Sequence, residues 1–256
     1  MIFCDLENFR HSVRKKFDES KKIDINFEIF HKKLFEKVVE ILDSKIQNPR
    51  LVRAYVYTGQ YTSSQITKAK YHLKTIPQER EKISQKIEQL KKNIQQSREP
   101  QKRKLEFKLR KENIKLLSLS EDRIKILEEE IENAEFREKS QVDLFKNMDY
   151  INFLELKLKP LKYSFKDMRF VQKGTDVEMA VDIVNFAHFN NYDVAVVCSG
   201  DLDLLESCRL IKTLGKTFVL ISHKWQVGSK MIQTSDYFMD VDKFSQEDLN
   251  QISIEG

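Results

Sequence analysis

Carboxylates recur in this 256-residue chain where extended segments give way to loops or helices. Asp5, with Asn8 close behind, follows the apolar start Ile2-Phe-Cys. Asp176 opens a helical segment after Lys173-Gly174, and Asp182 stands six residues further on. Asp201 and Asp203 follow the apolar run Val194-Ala-Val-Val-Cys198 and the pair Ser199-Gly200. Carboxylates gathered in one place repel one another and raise each other's pKa values unless a cation sits among them. Hard oxygen donors select Mg²⁺ or Mn²⁺, and an incomplete set leaves water on the ion. The chemistry they point to is attack of a metal-activated water on a phosphodiester.

Each acid also has a structural reading. Asp5 suits the cap of the loop after a strand, and Asp176 and Asp203 suit the positive ends of helices. Asp176 and Asp182 do not share a helix face by simple spacing, so at least one of them is peripheral. Asp201, after Ser-Gly at the end of a buried strand, is the hardest to explain structurally.

These acids need a frame. Apolar strand patterns at residues 1–4, 51–57, 194–198, 217–221 and 237–241 alternate with amphipathic helices at 27–46, 176–189 and 202–214. Ile29, Leu34, Val38, Ile41 and Leu42 supply the apolar face of the first helix. Residues 153–163 and 169–171 read as extended. Apolar strands alternating with helices predict an α/β fold with a parallel sheet covered on both faces. In such sheets the ligand site lies beyond the carboxyl ends of the strands, which is where the acids fall.

No glycine lies between Gly59 and Gly174. Within that stretch Ile83, Ile87, Leu90 and Ile94 keep coiled-coil spacing, and Ser97-Arg-Glu-Pro100 interrupts the pattern. Leu105, Leu109 and Leu116, then Ile124, Leu127 and Ile131 follow, with a break near Ser118 and Ser120. Residues 65–147 are therefore expected to form an antiparallel helical hairpin. Its arms of ~35 residues would reach ~50 Å. The hairpin is inserted after the second strand of a core made of residues 1–64 and 148–256.

Lys and Arg total 45 against 40 Asp and Glu, a net charge of +5 that permits a polyanionic partner without requiring one. Three cysteines with no metal-ligand spacing exclude a disulfide framework and a zinc ribbon, and predict a reduced, cytoplasmic setting. The longest apolar run is too short to span a bilayer, so no membrane partner is expected. An apolar strand ending in an acid directly after Met1 argues against a secretory signal. No G-x-G-x-x-G follows any strand, which excludes a dinucleotide site. A haloacid dehalogenase-type phosphatase would want Asp-x-Asp on strand one, and residue 7 is Glu.

Taken together, Ile2-Phe-Cys-Asp5-Leu-Glu-Asn8, Lys173-Gly-Thr-Asp176-Val-Glu-Met-Ala-Val-Asp182 and Tyr192-Asp-Val-Ala-Val-Val-Cys-Ser199-Gly-Asp201-Leu-Asp203 resemble the NYN domain family of the PIN-like nuclease superfamily. Leu214-Gly215-Lys-Thr-Phe-Val-Leu and Ser235-Asp236-Tyr-Phe-Met resemble it too. The resemblance implies a PIN-like (Rossmann-like) fold and a ribonuclease dependent on Mg²⁺ or Mn²⁺. Asp5, Asp201 and either Asp176 or Asp182 would hold the metal and serve catalysis. Asn8 would bind the metal or orient water, Ser199 would shape the loop, and Asp203 or Asp236 would complete the shell. Leu6 stands where a glycine is common in the first motif, and Leu204 where an aromatic often stands. Neither departure removes a carboxylate.

For substrate, Lys173 is placed to hold a phosphate. Arg10, Arg14, Lys15 and Lys16 are candidates for a basic rim that meets RNA. Trp225 is placed either to stack on a base or to pack beneath its own loop. The expected function is metal-dependent endoribonuclease. The alternative is a catalytically weak PIN-like module that binds RNA or protein, with its coiled coil mediating assembly. For the hairpin, a homo-oligomer contact ranks ahead of docking a protein partner or tracking RNA, because an apolar seam on a thin arm buries little alone.

Overall fold

A computed structural model describes residues 1–17, 23–42, 46–148 and 150–255. The elements run β1 (Ile2–Asp5), α1 (Leu6–Arg14), β2 (Ile23–Ile25), α2 (Phe30–Leu42), β3 (Ala54–Gln60), α3 (Ser63–Gln96), α4 (Gln101–Leu117) and α5 (Glu121–Met148). They continue with β4 (Leu154–Pro160), β5 (Lys162–Ser164), β6 (Arg169–Val171), α6 (Thr175–His188), β7 (Val194–Cys198) and α7 (Leu205–Thr213). The last are β8 (Thr217–Ser222), α8 (Ser229–Thr234), β9 (Tyr237–Asp240), α9 (Gln246–Ile252) and β10 (Ser253–Glu255).

The chain divides into two compact units, residues 1–60, 142–159 and 172–256, and residues 61–141 and 160–171. The first is α/β. Its sheet has the order β4-β3-β1-β7-β8-β9, and β3, β1, β7, β8 and β9 run parallel. Alternation along the strands feeds two cores. Ile2, Cys4, Val196, Cys198, Val219 and Ile221 join α1, α2 and α9 on one face. Phe3, Tyr55, Tyr57, Val197, Phe218 and Leu220 join α6 and α7 on the other. Both faces are therefore dry, which is why these strands read as continuous apolar runs. Cys4, Cys198 and Cys208 are free and buried.

Several boundaries differ from the sequence expectation. The α2 helix starts at Phe30, because Asn26 holds residues 27–29 in a turn: its carbonyl accepts from Ile29 and Phe30, and its side chain from Glu28. Phe30, Leu34, Val38 and Leu42 form the buried stripe, while Ile29 and Ile41 are exposed. Residues 43–45 of the expected helix lie outside the described residues. The β3 strand begins at Ala54 and carries through Thr58 and Gly59 to Gln60. The expected extended segment 153–163 is two strands: β4 joins the main sheet, and β5 pairs antiparallel with β6. The expected helix 202–214 is a single 3-10 turn, Leu202–Leu204, followed by α7. The pairing of β2 with β10 and the capped helix α9 were not foreseen.

The second unit is the helical hairpin, with its second arm broken between α4 and α5. Ile66, Ala69, Ile76, Ile83 and Ile87 of α3 pack with Leu127, Ile131 and Ala134 of α5, and Leu109 and Leu116 of α4 lie against them. Residues 160–171 group with this unit because Tyr163, Met168 and Phe170 bury in the same cluster. No described helix is long and apolar enough to cross a membrane.

Candidate functional site

Asp5 ends β1, and as the N-cap of α1 its Oδ1 accepts from the Asn8 backbone N–H at 3.2 Å. Strand alternation gives it the sheet face of Phe3, the face that α6 covers. Asp176 lies in the first turn of α6, and Asp201 is the N-cap of the 3-10 turn beyond β7, accepting from the Asp203 N–H at 2.9 Å. Three elements thus bring their acids to the carboxyl edge of the sheet.

Their electrostatics couple them. Burial pushes the Asp5 carboxyl up to about 6, the Asn8 N–H opposes that rise, and the charges of Asp176, Glu7 and Asp201 add to it. Asp176 is also raised, first by burial and then by the charges of Asp201 and Asp203. Asp5, Asp176 and Asp201 therefore feel one another across the carboxyl edge of the sheet, and Asp203 beside Asp201 is exposed. Their donor set, all hard carboxylate oxygens under mutual repulsion, fits a divalent cation.

Two glycines make this geometry possible. Gly174, at φ 81°, caps α6 in a left-handed conformation that disfavours any side chain. At Gly200 an added Cβ would stand 3.0 Å from Ser222 Oγ and 3.2 Å from the Gln226 carbonyl oxygen, closer than ordinary van der Waals contact, so a side chain there would push on the Gln226 backbone.

The other sequence candidates have different surroundings. Asp182 accepts from the Tyr57 hydroxyl at 2.9 Å and lies 3.6 Å from Lys157 Nζ, and it is absent from the charges acting on Asp5 and Asp176. Asn8 offers one atom able to ligate a cation, its Oδ1, and that atom accepts from Gly200 N at 3.0 Å and Gln226 Nε2 at 3.1 Å. Asn8 ties the Asp201 loop to α1. Buried Ser199 turns the same loop, its Oγ accepting from the Asp201 N–H at 3.2 Å. Asp236 sits at the opposite edge of the sheet, holding Phe218 N and Lys212 Nζ, each at 2.8 Å. Arg10 is committed to Asp24 at 2.6 and 3.1 Å and to Glu7 at 3.1 Å, which takes its guanidinium from the expected basic rim. Lys16 pairs with Asp242 at 2.7 Å. Lys173 and Arg14 are exposed.

Among the described residues, the group whose ligand atoms stand within 4.8 Å of one another is His223, Asp240 and Asp242, at the same edge; Asp5, Asp176 and Asp201 are spread more widely than that. His223 Nδ1 lies 2.9 Å from Asp242, and Lys16 already supplies a positive charge there. Sequence reasoning missed this group and the role of Gln226. The rule that found Asp201 after β7 would have found His223 after β8 and Asp240 at the end of β9.

The family model of the NYN domain, a domain of the PIN-like nuclease superfamily, matches residues 124–242. The match takes in Asp176, Asp201 and the strands β7, β8 and β9, while Asp5 and Asn8 lie before it. A search of curated proteins finds no match. Among solved structures, a protein of unknown function from Vibrio parahaemolyticus is similar at 13% identity with a TM-score of 0.41, covering 94% of this chain and 91% of that one.

Proposed function

We propose, from the match of residues 124–242 to the NYN domain model, that the chain is a metal-dependent endoribonuclease that leaves a 5′-phosphate and a 3′-hydroxyl. What supports the reading is that Asp5, Asp176 and Asp201 stand at the carboxyl edge of one sheet, near enough for their charges to push Asp5 and Asp176 up. These three acids would hold the cation, with Asp176 rather than Asp182 as the contribution of α6. Bound there, Mg²⁺ or Mn²⁺ would supply Lewis-acid polarisation of a phosphoryl oxygen and a water of lowered pKa.

The protein's own residues do the rest. Asp5 and Asp201 each hold one carboxylate oxygen in a capping bond, which would leave the other for the cation. Asn8 and Ser199 hold the Asp201 loop in place. Lys173, exposed one residue before the α6 cap, would receive the phosphate next to the scissile bond. In the overall reaction water oxygen joins phosphorus, the bond from phosphorus to the 3′ oxygen breaks, and that oxygen leaves with a proton.

The deciding experiment is cleavage of labelled RNA with Mg²⁺ or Mn²⁺ and with EDTA, for the wild type and Asp201→Asn. Metal-dependent cleavage lost in the variant supports the reading. RNA bound but never cut favours the binding-module alternative. In the helical unit, α4 exposes Phe107, Ile114 and Leu117. An uncovered apolar stripe of that kind supports a second copy of the chain as the partner of the hairpin.

A further inference from the structure

We propose that Trp225 is a base-stacking platform that grips single-stranded RNA beside the acidic edge of the sheet, a proposal that rests on the nuclease reading above. Trp225 is the only tryptophan in the chain and is 56% exposed. An indole is large and apolar, and left in water it forfeits the burial that core packing would give it. Packing beneath the loop therefore does not account for it.

The surroundings say what would cover it. Lys15 Nζ stands 3.1 Å from the centre of the indole ring. The rings of His223 and His11 lie 4.8 and 6.4 Å away. Lys15 and Lys224 are exposed. On the His223 side Asp242 is answered by Lys16 and His223, at 2.7 and 2.9 Å, so the exposed charge left at the border is that of Lys15 and Lys224, poorly matched to an apolar protein groove and well matched to a polyanion. A π-face inside such a border fits a base still attached to its phosphates. In a duplex the base faces are already stacked on one another, so the fitting ligand is an unpaired strand.

The platform is also rigidly joined to that edge. The turn that carries Trp225 is closed by Gln226 N and Val227 N donating to the His223 carbonyl at 2.9 and 3.2 Å. The Gln226 side chain accepts from Ser12 Oγ at 3.0 Å and donates to Asn8 Oδ1 at 3.1 Å. Asn8 in turn holds the Gly200 N–H of the Asp201 loop. The indole is therefore carried by the residue next to Gln226, whose side chain braces the site. In the free protein Lys15 covers the π-face. When a base stacks there, its ammonium is released to a phosphate of the same strand.

The lone indole makes the test direct. A short oligouridylate is titrated into the full chain in EDTA, reading indole emission together with the anisotropy of the labelled oligonucleotide. The expected result is saturable quenching that tracks binding, with a duplex RNA binding without quenching. Trp225→Ala weakens binding of the oligouridylate about tenfold, and Trp225→Phe restores most of it. Lys15→Gln lowers the slope of log affinity on log salt by about 0.7. Anisotropy showing binding while emission stays flat, with Trp225→Ala unchanged, overturns the platform and leaves the nuclease reading standing. Quenching by duplex equal to that by the single strand also overturns it. No binding by either readout overturns it as well, and the Asp201→Asn cleavage assay then decides whether the nuclease reading falls with it.

Discussion

At the scale of the residue, Asp5 reverses the usual relation between a carboxylate and stability. Its folded pKa, about 6, lies above its ordinary value of 3.8, so the native state binds this proton more tightly than the unfolded chain does. The stability it contributes is full below 3.8 and is lost as pH rises through about 6, at most about 3 kcal/mol of it. Asp5→Asn keeps a capping oxygen and removes the charge. We expect its denaturation midpoint at pH 7.5 to exceed that of the wild type, and the wild type's decline between pH 4 and 7 to flatten. Mn²⁺ at pH 7.5 should stabilise the wild type and leave Asp5→Asn unmoved in the same titration. The helix α6 allows a second comparison. Asp176→Asn should lower cleavage by 100-fold or more, on the order of what removing a charge-stabilising group costs. Asp182→Asn should weaken its bond to Tyr57, lowering stability by about 1 kcal/mol while cleavage stays within several-fold of the wild type. Equal losses of cleavage would return Asp182 to the site. The acids themselves were legible from their types and from the strand-end rule. Asn8, Arg10 and Asp182 were less so, since their roles depend on partners 14 to 218 residues away in sequence, such as Asp24 and Gln226.

At the scale of the element, what sequence pattern revealed and what it hid have one cause. The β7 strand emerged with the bounds read from its apolar run, because a strand buried on both faces leaves a continuous signal. The four-three-four stepping of α3 emerged for the same reason, Ile83, Ile87 and Leu90 being buried, the first two in a cluster that α4 and α5 share. The shift of α2 to Phe30 was hidden because a side-chain turn at Asn26 competes with the helix, and apolar spacing does not record that contest. The three-residue strands were hidden because their ordering comes from pairing, as β2 with β10 and β5 with β6. Gly174 ties an element boundary to chemistry, since its φ of 81° sets where α6 begins and so where Asp176 stands. Gly174→Ala should lose roughly 1–2 kcal/mol in a denaturant melt. If Asp176 is a metal ligand as proposed, cleavage should fall by more than that loss of folded protein explains at low denaturant, because the first turn of α6 carries it.

At the scale of the whole molecule, the open question is what the helical unit contributes. Its inner seam is satisfied: Leu127 and Ala134 are fully buried and Ile131 nearly so. The outer side of α4 is different. Phe107, Ile114 and Leu117 are 60, 66 and 71% exposed, and Lys111 Nζ lies 4.6 Å above the Phe107 ring. Phe107, Lys111 and Ile114 are spaced by four and three, so they share one helix face, apart from the half-buried Leu105, Leu109 and Leu116. Three large apolar side chains on one exposed helix lose several kcal/mol of available burial, which a second copy packing antiparallel against the first would recover. The lysines between them would keep such an association reversible and salt-sensitive, with higher salt screening their repulsion and strengthening it. Sedimentation velocity over a concentration series should then show a monomer–dimer equilibrium that shifts toward dimer as salt rises. The triple substitution Phe107→Ser, Ile114→Ser and Leu117→Ser should hold the chain monomeric with its helical circular dichroism retained. A wild type that stays monomeric at the highest concentration would remove the second copy as the partner of this face.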